Sequence, residues 1–289
     1  MLRTAARVTA SSKRGISLKL HKLKSALIHG RQQRRDLKTL TLNAGSTTLK
    51  YALYEVESQS SSSDEKLKCQ RLASGMVDRV GKQDASVTHN GSLVTSTAIL
   101  TPVDAMKHVV ETLQKDTKCG LQCGLQENES IDCVGHRVVH GGSLYTQPTI
   151  ISEEVINDID KLSALAPLHN PPALAGIKVS TEQFPNATQV AIFDTAFHTA
   201  SLPPSSYRYA IPSDWYEKND VRRYGFHGTS YEYVLEETSK YLQRPKDSLN
   251  LIVMHLGGGA SMCCIEKGKS IDTTMGFTPL ESLVMCIVN

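Results

Sequence analysis

Nowhere in the 289 residues does an apolar run approach the ~20 needed to cross a bilayer, so no stretch of this sequence reads as a membrane-spanning helix. The seven cysteines are odd in number and irregularly spaced. Cys119 and Cys123 form a C-x3-C pair with no second His/Cys pair at metal-site spacing, which argues against a structural zinc module and fits reduced thiols. Acids are almost missing from residues 1–38, where Asp36 stands against 11 Lys/Arg. The whole chain has 32 basic and 29 acidic residues, so 21 and 28 remain beyond residue 38, a net −7. The formal +3 therefore belongs to the N-terminal segment, and the mildly acidic body is a poor nucleic-acid binder.

That first segment also lacks the continuous apolar core of a secretory signal. It is rich in Arg and Ser, with Leu18, Leu20, Leu23, Leu27 and Ile28 at roughly helical spacing. Residues 1–37 read as an organellar transit peptide or as a disordered basic tail, and lie outside the fold on either view. Without a secretory signal, the sequons at Asn90, Asn128 and Asn186 carry little weight. The remainder, 40% hydrophobic and 21% charged over the chain as a whole, suits one large globular domain or two ordinary ones.

The centre of that remainder is Gln189-Val-Ala-Ile-Phe-Asp-Thr-Ala-Phe-His198. Val190–Phe193 is a short apolar run of the kind that forms a strand buried on both faces, and it ends in Asp194. Open α/β sheets place ligand sites at such strand ends, although a lone Asp there equally caps a turn. Upstream, Leu40–Tyr54 reads as strand, tight turn and strand, with Asn43-Ala-Gly-Ser46 as the turn and Gly45 available for positive φ. Its hydroxyls and Lys50 suit phosphate, but also any polar hairpin. Ser58–Lys66 is a low-complexity polar loop. Arg71–Val80 and Ala85–Leu100 alternate as antiparallel strands around an Asn90-Gly91 turn. Asp104–Leu113 has helical spacing, and Ile131–Val139 is a buried strand leading to His136-Arg-Val-Val-His-Gly-Gly142. That string is either an anion site or a charged strand edge.

Ser152–Leu165 reads as a helix capped by Ser152, stopped by Pro167 and by a rigid loop through Pro171-Pro172. A second helix follows, Pro172 to Ser180. Arg222–Ser230 opens a helix through Lys240 with Thr229 or Ser230 as N-cap, making an anion site around His227. Asn250–His255 reads as another buried strand running into Leu256-Gly-Gly-Gly-Ala-Ser261, where glycines let a backbone lie against a polyphosphate.

Together these strings resemble the acetate kinase family. Asn43–Lys50 matches N-A-G-S-[ST]-[ST]-x-K, and His255–Ser261 matches H-x-G-x-G-x-S. HRVVHGG (136–142), LAPLHNP (165–171), FDTAFH (193–198), RRYGFHGTS (222–230) and DTTMGFTPLE (272–281) stand between or after them in the family's order. The resemblance implies an α/β fold of two ribonuclease-H-like, actin-like ATPase domains flanking a cleft. The N-terminal domain would be 38–198, and the nucleotide-binding domain, partial here, 199–289. It implies reversible, Mg2+-dependent phosphoryl transfer between ATP and acetate, giving acetyl phosphate and ADP. Asn43 would sit at the metal, while Ser46, Thr48 and Lys50 would bind ATP phosphates. Arg137 would hold the acetate carboxylate, with Val139, Leu168 and Pro279 around the methyl group. Asp194 would be the catalytic carboxylate, and His227 would stabilise the transferring phosphoryl group. His255, Leu256, Gly257, Gly258 and Gly259 would wrap the ATP phosphates. These parts suit a reaction governed by positioning and charge stabilisation.

Two departures stand out. Gly258 replaces the family's usual Asn, removing an amide whose loss costs roughly 1–3 kcal/mol of phosphate binding. After Glu281 the family continues into G-[LV]-x-M-G-T-R-S-G-D, with a second transition-state Arg. Here Ser282–Asn289 follows instead, so the expectation is a C-terminally truncated form. Alternatives are a non-catalytic short form that binds ligand or a full-length partner, and a propionate or butyrate kinase. The resemblance further implies a homodimer for the full-length form, and the leader implies a mitochondrion, with plastid or cytoplasm as alternatives.

Overall fold

The computed structural model describes residues 36–45, 47–57, 68–119 and 131–285. Most of the basic leader, Ser46 and the Ser58–Lys66 loop lie outside them. The described chain forms two compact units, one from 36–138 and Thr149–Ala191, the other from Val139–Pro148 and 192–285.

The first unit is built on a sheet of order β5-β4-β3-β2-β1-β6-β8-β7. Its strands are β1 (Leu37–Ala44), β2 (Thr48–Glu57), β3 (Lys68–Asp78), β4 (Lys82–His89), β5 (Ser92–Ile99), β6 (Cys133–Val138), β7 (Thr149–Ile150) and β8 (Thr188–Phe193). β1 to β5 form an antiparallel meander. The Asn90-Gly91 turn has positive φ at both residues, as a two-residue hairpin of this kind needs. β6 instead runs parallel to β1, with Leu42 opposite His136. Helix α1 (Pro102–Lys115) starts with a capping box: Thr101 Oγ1 accepts from the Asp104 amide, and the Asp104 carboxylate accepts from the Thr101 amide. Its apolar stripe of Ala105, Met106, Val109 and Leu113 packs into one core with Leu40, Leu53 and Val134. Helix α2 (Glu153–Leu162) is capped by Ser152 as expected.

Helix α3 (Asn170–Gln183) corrects the expectation of a proline loop. Pro171 and Pro172 lie in its first turn, where missing N–H groups leave no helical bond unmade. Gly45 is a second correction. It does not take positive φ. Its amide donates to Thr48 O, and a Cβ would stand 3.0 Å from Thr48 Oγ1, so closeness rather than handedness suits glycine there.

The second unit holds α4 (Ala196–Thr199), α5 (Pro204–Tyr207), α6 (Ser213–Asn219) and α7 (Gly228–Leu242), with β9 (Leu251–Leu256), β10 (Ala260–Glu266) and β11 (Lys269–Thr273) in antiparallel order β11-β10-β9. Tyr231 and Leu235 of α7 pack on Leu249, Val253, Cys263 and Ile265. β9 is not the buried strand expected from its composition. Val253 faces the core, whereas Ile252, Met254 and Leu256 are 70, 60 and 60% exposed. Strand alternation puts these three on the face that α7 does not cover.

Candidate functional site

In the first unit, the parallel register of β1 and β6 sets their C-terminal ends side by side. Asn43 and Arg137 thereby meet, with Arg137 Nη1 donating to Asn43 Oδ1 at 3.1 Å. Lys50 lies opposite Asn43 on β2 and is exposed; Thr48, half-buried, starts that strand. Ser46 lies outside the described residues. His136, one residue before Arg137, points the other way and is buried against Gln189 Oε1 at 2.8 Å. Burial pushes its pKa down to about 4, so it is a neutral structural histidine. Leu168 sits in the turn before α3 and is 71% exposed.

The last two residues of β8, Ile192 and Phe193, belong to the second unit and lead into Asp194, which is buried. Thr229 Oγ1 donates to Asp194 Oδ1 at 3.1 Å, and the Gly228 amide donates to Asp194 O at 2.9 Å. A Cβ on Gly228 would lie 2.3 Å from that carbonyl, so only glycine allows the helix end to approach. The N-cap of α7 is His227, in the left-handed region at φ 59°, and not Thr229 or Ser230 as expected. Those hydroxyls are committed elsewhere, Thr229 to Asp194 and Ser230 to His255 Nδ1 at 2.9 Å. A histidine held at positive φ is uncommon and is kept there by its surroundings.

The His227 and His255 rings stack with centroids 4.0 Å apart. His227 Nδ1 lies 2.8 Å from Ser261 Oγ. The glycine loop begins beyond His255 and Leu256, with Gly257 N donating to Gly259 O. A Cβ on Gly259 would come within 3.1 Å of His227 Cε1 and Nε2, while one on Gly258 would meet nothing within 4 Å. The two histidines and the loop are therefore one cluster, and a shared helix end ties it to Asp194. Val139, just past β6, and Pro279, which opens a 3-10 turn capped by Thr278, are half-buried in the same unit.

Residues 38–287 match the Acetokinase family. The chain belongs to that family. It is 44% identical over 253 residues to the acetate kinase of Halothermothrix orenii, covering 86% of this chain and 60% of that one. To the acetate kinase of Bacillus cytotoxicus it is 44% identical over 250 residues, with 86% and 59% covered. The crystal structure of Porphyromonas gingivalis acetate kinase superposes with TM-score 0.73 at 37% identity, and that of a propionate kinase from Francisella tularensis with TM-score 0.73 at 35%. Each covers 86% of this chain and 60% of the solved one. The chain thus spans about 60% of the length of these acetokinase relatives. Over that stretch its α/β architecture is theirs, the actin-like ATPase fold.

Four positions acquire a role only from the structure: Thr229 on the Asp194 carboxylate, Ser230 on His255, and Ser261 with Tyr231 beneath His227. Tyr231 stands four residues after His227, a spacing that was the one sequence signal available for it. Ser261 closes the H-x-G-x-G-x-S string, but nothing in that spacing says it turns inward to a histidine from another segment.

Proposed function

We propose that this acetokinase catalyses phosphoryl transfer between ATP and a short carboxylate, acetate first, to give the acyl phosphate and ADP. The observation that carries the reading is the cluster of buried Asp194, helix-end His227 and the open glycine loop, tied by the Gly228 and Thr229 contacts. Acetate is ionised at neutral pH, so no strong base is required. Arg137 is assigned the carboxylate and Lys50, Ser46 and Thr48 the phosphates. Val139, Leu168 and Pro279 are assigned the methyl group, and Leu256 and Gly257 to Gly259 the nucleotide.

Mg2+ is proposed as the metal ion, on the single buried carboxylate of Asp194. No group of three or more His, Cys, Asp and Glu forms a metal cage among the described residues. Magnesium in such sites takes one or two carboxylates and completes its shell with phosphate and water. Asp194, the catalytic carboxylate, would place either this ion or the acetate. Asn43, whose amide oxygen accepts from Arg137, is assigned to the ion as well. When bound, the ion would neutralise charge on the transferring phosphoryl group.

A propionate-kinase relative at 35% identity supports a second reading with propionate as substrate. One methylene shifts preference by only ~1–3 kcal/mol, so relative kcat/KM on the two acids decides between them. The main test is acyl phosphate formation by the whole, full-length protein with ATP and Mg2+, trapped as the hydroxamate. Asp194→Asn should lower kcat about 10²–10³-fold, the scale of losing one charge-placing group. Product formation undiminished in Asp194→Asn, or none in wild type, overturns the reading. Homodimerisation of the whole protein and delivery to a mitochondrion, the latter supported only by the basic leader's composition, are proposed alongside.

A further inference from the structure

The strongest unassigned feature is the chain of hydroxyls beneath His227. Tyr231 is wholly buried, and its hydroxyl hydrogen-bonds to Ser261 Oγ, which in turn lies 2.8 Å from His227 Nδ1. Among the described residues the phenol has no other hydrogen-bond partner, and Ser261 Oγ has only these two. The direction of the chain follows from what each group must donate. Burial holds the Tyr231 phenol protonated well above its ordinary range. A buried O–H without an acceptor is strongly disfavoured, so Tyr231 donates to Ser261. The serine proton then has one destination, the lone pair of His227 Nδ1. With Nδ1 accepting, the ring proton of the neutral imidazole resides on Nε2. In the reverse order, with Nδ1–H donating, the tyrosine proton would be left buried with no acceptor. His255 Nδ1 is engaged separately, by Ser230 Oγ.

We propose that Tyr231 and Ser261 are positioning residues that hold neutral His227 in its Nε2–H tautomer, aiming that donor at the Gly257–Gly259 loop. Nε2 is one of the two ring atoms that a Cβ on Gly259 would crowd. The consequence for catalysis rests on the phosphoryl-transfer reading: His227 offers a hydrogen bond to an anionic phosphoryl group without first taking up a proton. The tautomer itself does not rest on that reading.

The test is the long-range 1H–15N spectrum of the labelled chain at pH ~8.5, about two units above the ordinary imidazole value, with His227 assigned by its loss in His227→Asn. Wild type should show the Nε2–H pattern at His227. Tyr231→Phe and Ser261→Ala should each populate Nδ1–H, and Ser261→Thr, which retains a hydroxyl, should restore the wild-type pattern. Nδ1–H in wild type, or unchanged spectra in both Tyr231→Phe and Ser261→Ala, overturns the proposal. Should either variant fail to fold, the wild-type spectrum still decides. In kinetics, Tyr231→Phe should lower kcat roughly tenfold, one hydrogen bond's worth, with KM for ATP unchanged. If no acyl phosphate forms yet His227 is Nε2–H, the functional reading fails and the relay stands. If acyl phosphate forms while His227 is Nδ1–H, the relay fails and the functional reading stands.

Discussion

The two sheets of this molecule handle their edges and faces differently. In the eight-stranded sheet the terminal strands are β5, half Ser and Thr with Leu93 and Val94 exposed at its start, and β7, only two residues long. Short or polar edges offer little for another strand to pair with. The three-stranded sheet ends on β9, six residues of Leu-Ile-Val-Met-His-Leu, with Ile252, Met254 and Leu256 facing outward. An apolar strand can therefore be core on one side and bare on the other. What decides is whether a second layer covers each face, and that is not a property of the strand. Here α7 covers one face only.

The largest test of this contrast is in cavity cost. Leu53, fully buried in the first unit, should lose about 2–5 kcal/mol on Leu53→Ala, whereas Ile252→Ala on β9 should stay within about 0.5, both read by denaturant unfolding. Equal losses would mean that β9 is covered in solution.

Next in size is acid sensitivity. Burial lowers the folded pKa of both His136, in the first unit, and His140, in the second, to about 4. The unfolded chain binds the proton first, near the usual 6.5, so each contributes stability that is complete above that value and is lost as pH falls toward 4. A shift of about 2.5 units corresponds to roughly 3 kcal/mol per histidine as an upper bound. Unfolding followed from pH 7.5 to 4 should show this slope, and His136→Asn should flatten it for the first unit alone.

Smaller again is a comparison within the second unit. Gly228→Ala forces a Cβ onto the Asp194 carbonyl and should cost about 1–3 kcal/mol, while Gly258→Ala meets open space and should be neutral in stability. Met254→Lys should likewise change stability by no more than about 0.5 kcal/mol, yet it should reduce concentration-dependent association seen by light scattering, because a charge interrupts the apolar face.

Much of the candidate site could be proposed from the sequence because its residues carry their chemistry in local strings. A strand-end Asp194, the glycines after His255 and the Arg137 beside a Gly pair each stand out by residue type and position. The fold was legible where patterns were strong: the Asn90-Gly91 turn, the α1 stripe and the buried run of β8. What misled was local chemistry with two possible uses. Thr229 and Ser230 are good cap residues, and Pro171-Pro172 is a good helix stop, so propensity favoured both expectations. Tertiary partners overrode the first, and the tolerance of a first helical turn for proline overrode the second.

Family membership, the order of the motifs and the residue types at the candidate site were therefore determined by the sequence itself, since each depends on short contiguous strings. Only the tertiary structure decided which hydroxyl faces which partner, that His227 sits at positive φ, and which face of β9 is covered. Those outcomes depend on groups far apart in the chain, such as Ser261 and His227, 34 residues apart. Hydrogen-bond satisfaction and packing act on distance in space, which no local pattern encodes.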